Sequence, residues 1–389
     1  VNEPQPDAPY IAVFSCNFGG GHNRVAEVLA HEMSSRVPNS HVEVFDYIEQ
    51  FVGHASNVVS TLFYTASVRR APWAWRWFYQ ATSAIPYDSR TQRALNRLGR
   101  ARLETFLATR RPSLVVCTYC VPAGAMSDLK KESRTKVPCV TVVTDHAIHS
   151  QWVHPYVDRF IVSSEYVRDG LIQRGIPAAH VAATGIPIDP RFAEAPDRET
   201  LRRKHGVDPF RPAILVMVGA VNLLRDAMRV YEAVADLPRD IQLLFVCGRD
   251  ETLRRTLEAR TSSARNPVRV FGFVDHVHEL MACSTLMVSK AGGVTTSEAL
   301  AAELPVVVVN PIPGHEEENV RFLEQEGAGV RPRDIDDLVR TVVSLLDEPA
   351  RLGAMRAAVR RLKRPDAAAR AADVALLLAG LAVREPAAR

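Results

Sequence analysis

Apolar residues fall along this chain in two alternating patterns: short unbroken runs closed by glycine or polar turns, and longer stretches where they return at helical spacing. The alternation predicts buried parallel strands joined by crossover helices, because a strand covered on both faces needs no polar side and a helix needs one apolar stripe. Runs at residues 10–15, 41–46, 114–118, 137–143, 158–163 and 181–188 predict one doubly wound α/β unit, and those at 213–218, 241–246, 268–271, 285–288 and 305–309 a second. Residues 189–212, rich in charge and proline, read as their connection. The expected domains are 1–188 and 213–365, with a last segment, 366–389, whose apolar helix at 367–381 crosses back to the first domain. Residues 48–109 break the rhythm and read as a helical insertion in the first domain.

The densest chemistry lies in residues 289–319. There a strand ends, Gly292 and Gly293 let the backbone turn and approach a ligand, and a helix over residues 295–302 opens directly behind them. Unpaired N–H groups and the helix dipole favour a phosphate at such a place, which puts Gly292, Gly293 and Thr295 at a pyrophosphate. Glu298, one turn in, is placed to accept from ribose hydroxyls. A second strand, the turn at Gly314, and a helix headed by His315 and Glu316 and containing Asn319 follow, for the sugar or phosphate end of the same ligand.

The first domain opens with a strand, the loop Gly19-Gly20-Gly21-His22 and a helix bearing Val25, Leu29 and Met33. This is neither a G-x-G-x-x-G nor a P-loop, since no Lys-Ser or Lys-Thr follows. The strand at 137–143 runs into Asp145, His146, His149 and Trp152, and ligands of open α/β sheets lie beyond such carboxyl ends. A metal reading of Asp145, His146, His149 and His154 lacks any fixed helical His-x-x-x-His face. Asp334-Ile335-Asp336 spells a D-x-D but heads a helix, which favours capping.

These motifs together resemble the family 28 glycosyltransferases, a group that includes monogalactosyldiacylglycerol synthases and processive diacylglycerol glucosyltransferases. The resemblance rests on G-G-G-H at 19–22, T-D-x-x-x-H-x-x-W at 144–152, T-G-I-P at 184–187, and K-x-G-G-x-T-x-x-E-A with P-x-P-G-x-E-x-x-N over 290–319. It implies the GT-B fold, two doubly wound Rossmann-like domains facing each other across a cleft, and inverting transfer of a hexose from a UDP-sugar to a lipid hydroxyl. It also places backbone near Phe273 and Val274 at the uracil, Gly19, Gly20, Gly21 and Trp152 at the acceptor, and no metal or other cofactor in the reaction. One departure stands out: Gly219-Ala220-Val221 lies where the family carries two or three glycines, which bears on how closely that loop approaches donor or acceptor.

An inverting transfer needs a base for the acceptor hydroxyl, and histidine titrates nearest neutrality. His22 is the first candidate, because a helix start favours the neutral imidazole; Asp145 is the supporting carboxylate or alternative base, and His149 a cleft-lining partner. Other readings stay open: a polyprenyl or specialised-metabolite acceptor, a UDP-sugar epimerase or hydrolase of the same build, or a sugar-nucleotide binder without turnover.

Composition narrows the picture a little. With 389 residues, 47% hydrophobic content and a net charge of +4, the chain suits two packed domains and an anionic ligand or membrane surface, and has no nucleic-acid footprint. Its six cysteines sit in or beside apolar runs, as reduced thiols do. No run approaches the ~18 apolar residues of a membrane span, and the first residues lack a secretory pattern, so the expected location is cytoplasmic. Within the insertion, Arg69, Arg70, Trp73, Trp75, Arg76 and Trp77 combine the residue types that seek a headgroup layer, which predicts peripheral attachment to the inner face of an anionic membrane. The competing reading packs those aromatics into the core.

Overall fold

The apolar runs form parallel strands in a computed structural model of the chain, which describes residues 8–17, 20–83, 85–194, 197–217 and 224–381. Two units result: Val1–Ser67 with Trp73–Pro190 and Asp366–Arg389, and Arg191–Pro365 with Val68–Pro72.

The first unit runs β1 (Tyr10–Ser15), α1 (Gly21–Arg36), β2 (His41–Asp46), α2 (His54–Arg70), α3 (Pro72–Ser83), α4 (Arg90–Asn96) and α5 (Arg100–Arg110). It continues through β3 (Leu114–Cys117), α6 (Cys120–Lys131), β4 (Cys139–Val142), β5 (Arg159–Val162), α7 (Glu165–Gln173) and β6 (Val181–Ala183). The sheet order is β2-β1-β3-β4-β5-β6, every pairing parallel. Its direction of winding therefore reverses between β1 and β3, and the loops leaving those two strands diverge to form a crevice. One end of its core is aromatic: Phe14 packs edge-on against Tyr47, Phe51 and Phe106.

The second unit holds α8 (Arg198–His205), β7 (Ala213–Met217), α9 (Leu224–Ala235), β8 (Gln242–Val246), α10 (Glu251–Glu258), β9 (Val268–Phe271) and α11 (Val277–Cys283). After these come β10 (Leu286–Ser289), α12 (Gly293–Ala301), β11 (Val306–Val308), α13 (His315–Gln325), β12 (Gly329–Val330), α14 (Ile335–Asp347) and α15 (Pro349–Leu362). Its order, β12-β11-β10-β7-β8-β9, reverses between β7 and β10. The two-residue β12 carries too little pattern to have been read from sequence.

The last helix, α16 (Ala367–Leu378), belongs to the first unit. Ala368, Ala371, Ala372 and Ala375 are buried on it, small enough to let it close on α1, and Asp373 meets the buried Arg36 at 3.1 Å. The stretch read as a plain connection contains α8, because Asp197 caps its start through the Thr200 N–H and Gly206, in the left-handed region, ends it.

Candidate active site

At the crevice of the first sheet, Gly20 takes a left-handed conformation (φ 81°) that starts α1 and sets His22 in its first turn. Gly19 lies outside the described residues; Gly21 is the first residue of the helix. The His22 Nδ1 is 2.7 Å from the carbonyl oxygen of Thr118, the residue following β3. A carbonyl only accepts, so Nδ1 carries a proton, and in the neutral form of the ring Nε2 is the atom with the lone pair. Thr144 Oγ1, just beyond β4, lies 3.1 Å from the same Nδ1, and the Thr118 hydroxyl donates to the His22 carbonyl at 3.1 Å. Tyr119 and Trp152 pack their rings against the imidazole, at 5.3 and 6.3 Å between centroids. Four residues from two loops, those after β3 and β4, thus surround one histidine.

Asp145 follows Thr144 in the loop after β4 and lies near enough to Cys120 that its charge, added to the larger effect of burial, pushes that thiol up to about 12. Burial likewise holds Cys117 protonated, so neither Cys117 nor Cys120 supplies a thiolate at neutral pH. His149 differs from a cleft-lining group: it is buried, accepts from the Gln151 N–H at Nδ1 (3.2 Å), and directs Nε2 at the Tyr79 carbonyl (3.2 Å) and Thr82 Oγ1 (3.3 Å). His146 and His154 are buried too, and no group of three metal-ligating side chains occurs among the described residues.

In the second unit the corresponding crevice is built from backbone. Ser289 Oγ donates to the Met217 carbonyl (3.0 Å), tying the ends of β10 and β7 together; the Gly219-Ala220-Val221 loop that follows β7 lies outside the described residues. Gly292 caps α12, which begins at Gly293, two residues earlier than the sequence pattern suggests, so Thr295 is already in its first turn. No acidic residue stands in that turn, whereas the first turn of α13 carries Glu316, Glu317 and Glu318. The two helix starts therefore differ chemically: α12 offers bare N–H groups suited to an anion, and α13 offers carboxylates suited to hydroxyls.

The carboxylates of α13 also brace the turn before it. Glu316 Oε2 accepts from the Ile312 N–H at 2.5 Å and Glu317 Oε2 from the Gly314 N–H at 3.1 Å. Gly314 has φ 96° and ψ −110°, a conformation that side chains resist. Buried Asn319 donates to the Ala291 carbonyl (2.8 Å), which couples α13 to the Gly292 turn, and a Cβ on Gly292 would stand 3.8 Å from Glu316 Oε1. Glu298 is buried inside α12 and His315 is half-buried at the start of α13. Phe273 and Val274 follow β9; Phe273 is exposed, with the Arg249 guanidinium over its ring at 4.9 Å. Arg249, Thr118 and Tyr119 were not singled out from sequence, yet they and Thr144, quoted there only within a motif, lie in the loops after β8, β3 and β4, at the reversal points or their neighbours, where the winding rule directs attention.

Outside the crevices, Trp73 and Trp77 are 76% and 70% exposed on α3, one helical turn apart, with Leu62 and Phe63 exposed on α2. Trp75, two residues from either, faces the other way, against Tyr64 and Phe78, with its indole nitrogen buried. Its place in the exposed set is thereby corrected. Arg70 and Arg76 are exposed; the Arg69 side chain lies outside the described residues. Among those residues no helix is long and apolar enough to cross a membrane.

Comparison with known proteins agrees with these features. The family model for monogalactosyldiacylglycerol synthase matches residues 22–188, and that for group 1 glycosyl transferases matches residues 197–362. A processive diacylglycerol beta-glucosyltransferase of Bacillus cereus is 28% identical over 370 residues, which cover 95% of this chain and 93% of that one. Among solved structures, MurG of Acinetobacter baumannii (TM-score 0.61, 13% identity, 95% and 99% of the two chains) and S. aureus MnaA with UDP (TM-score 0.61, 14% identity, 96% and 97%) share the fold. Two units of this topology, the motifs at both crevices and glycosyltransferase relatives matched along nearly the whole chain make one conclusion: the protein has the GT-B fold, and its two halves are similar to monogalactosyldiacylglycerol synthase and to the group 1 glycosyl transferases.

Proposed function

We propose that the protein transfers a hexose, with inversion, from a UDP-sugar to the hydroxyl of a diacylglycerol-like lipid, without a metal ion. The observation that best supports this is the fixed tautomer of His22, whose Nδ1–H is committed to the Thr118 carbonyl so that Nε2 accepts. In the reaction Nε2 takes the proton of the acceptor hydroxyl as that oxygen bonds the anomeric carbon, and the bond from that carbon to the β-phosphate oxygen breaks with its electrons leaving on UDP. The bare start of α12 receives the diphosphate charge in place of a cation, with Gly292, Gly293 and Thr295 around it. Glu298 takes the ribose, Phe273 and Val274 the base, and His315, Glu316 and Asn319 surround the sugar. Diacylglycerol as acceptor is supported by the name of the Bacillus cereus relative, and the UDP-linked hexose as donor by the motif resemblance over residues 290–319.

Peripheral attachment to the cytoplasmic membrane face goes with this reading. Two exposed tryptophans on one face of α3, with Arg70 and Arg76 nearby, suit the headgroup layer, and each basic residue at an anionic surface contributes about 1 kcal/mol. The deciding experiment is incubation with UDP-glucose, UDP-galactose or UDP-N-acetylglucosamine and diacylglycerol vesicles, with and without EDTA. A new glycolipid formed equally in EDTA is the expected result. Conversion of the nucleotide sugar without lipid product makes the protein an epimerase or hydrolase, and activity abolished by EDTA and restored by magnesium refutes the metal-free mechanism.

A further inference from the structure

The two ends of α3 are built for different purposes. Near its start Trp73 and Trp77 stand in solvent, while at its end Thr82 is buried and held by side chains from a distant part of the chain. Ser150 Oγ donates to the Thr82 carbonyl at 2.7 Å, in the last turn, where helix carbonyls lack partners of their own. His149 supplies the neighbouring tie. Its Nδ1 accepts from Gln151, so its proton is on Nε2, aimed at the Tyr79 carbonyl and Thr82 Oγ1, and its ring packs on Tyr79 at 4.5 Å.

The loop that makes these ties, residues 144–152, also touches His22 at both of its ends, through Thr144 Oγ1 on Nδ1 and through the Trp152 ring. Its middle therefore grips α3 while its ends grip the proposed base. We propose that Thr82, His149 and Ser150 are positioning residues that couple the seating of α3 on a lipid surface to the orientation of His22, so that acceptor in a membrane is turned over faster than dispersed acceptor. This rests on the lipid glycosyltransferase reading above. A shift of α3 reaches the imidazole through the hydrogen bonds to His149 and Ser150, the Trp152 N–H bonded to the His149 carbonyl at 3.0 Å, and the Trp152 ring packed on His22.

The test compares turnover of diacylglycerol in anionic vesicles with turnover of a short-chain diacylglycerol below its aggregation concentration, using the full chain, with flotation and thermal melting as controls. Ser150→Ala and Thr82→Val are expected to lower the vesicle rate by about tenfold, less than the ~100-fold of a fully misplaced group, while flotation and the rate on dispersed acceptor stay unchanged. His149→Gln, which keeps an N–H donor but cannot act as a base, should recover most of the vesicle rate that His149→Ala loses. An unchanged vesicle rate in both Ser150→Ala and Thr82→Val overturns the inference, and so does an equal fall on both acceptors accompanied by a lower melting temperature. Failure of the wild-type protein to glycosylate either acceptor overturns instead the reading on which the inference rests.

Discussion

The two units share a winding scheme and differ in what they place at the point where it reverses. In the first, the chain leaves β2 and enters the helices α2 to α5 instead of a further outer strand, and the crevice between β1 and β3 is filled by rings: an imidazole, a phenol and an indole. In the second, the sheet gains its third outer strand, β9, and the crevice edge carries glycine turns and two helix starts. Side-chain chemistry at one edge and backbone chemistry at the other is the division expected when one unit must move a proton and the other must only hold an anion. It also makes the units separable by experiment, since substitutions in each should disturb a different kinetic constant.

The largest effect belongs to His22. Its replacement by alanine removes the lone pair that Thr118 and Thr144 orient, and turnover should fall by roughly 10²–10⁴-fold while UDP affinity, measured by calorimetry, stays at the wild-type value. A matching loss of UDP affinity would erase the proposed division of labour between the units. Near-normal turnover in His22→Ala together with its loss in Asp145→Asn would move the base to Asp145.

A second contrast concerns acid. His154, buried in the first unit, is pushed by that burial down to about 4, and its Nε2 has no partner. In the second unit the histidine that ends α8, His205, instead meets Glu279 at 2.6 Å. A histidine whose folded value lies below its unfolded one is neutral in the native state, so unfolding takes up a proton and the stability it leaves intact above pH 6.5 is lost as pH falls from about 6.5 to 4. The loss should approach roughly 3 kcal/mol at the lower end. Denaturant melts across that range should show it, and His154→Gln should flatten the profile; an equally steep profile in the variant would assign the acid sensitivity elsewhere.

Legibility from sequence divides along the same line. Glycine turns, capping residues and apolar runs are local signals, so the second unit's crevice and nearly every strand could be read from residue order, to within a residue or two at the ends. His22 was also legible, because it terminates a glycine loop. What surrounds it was not: Thr118 lies 96 residues away in sequence and Thr144 122, and only the sheet order brings them together. The burial of His149 and the inward turn of Trp75 escaped for a related reason, since a loop residue and a short helix give no periodicity strong enough to assign a face. Cys117, Cys16, Cys139, Cys247 and Cys283, by contrast, are buried thiols, as their apolar neighbours alone suggest, while Cys120 is partly buried.

On the donor side a smaller loss is expected and of a different kind. Glu298→Ala removes a buried carboxylate one turn into α12, and about tenfold weaker UDP-sugar affinity should result, with turnover at saturating donor much less affected. Glu316→Ala frees the Ile312 N–H and loosens the strained Gly314 turn, so it should weaken the sugar-bearing donor more than UDP alone. Equal loss for both ligands would place Glu316 in general support of the fold instead of at the sugar.

The smallest effect discriminates between two readings of one short motif. Asp334 opens α14 with its side chain accepting from the Asp337 N–H at 2.8 Å, and Asp337 in turn accepts from the Arg333 N–H at 2.9 Å, which lowers its titration below the usual carboxylate range. This is the geometry of a helix cap, with the carboxylate oxygen spent on a backbone donor and negative charge gathered at the positive end of the dipole. Asp334→Ala should therefore cost about 1 kcal/mol of stability, read as a lower denaturation midpoint with an unchanged slope. Donor affinity and the response to added magnesium should not move. A donor affinity that drops in Asp334→Ala and is restored by excess magnesium would return the D-x-D to a metal role and bring a cation into the second unit, where the bare start of α12 is proposed to serve in its place.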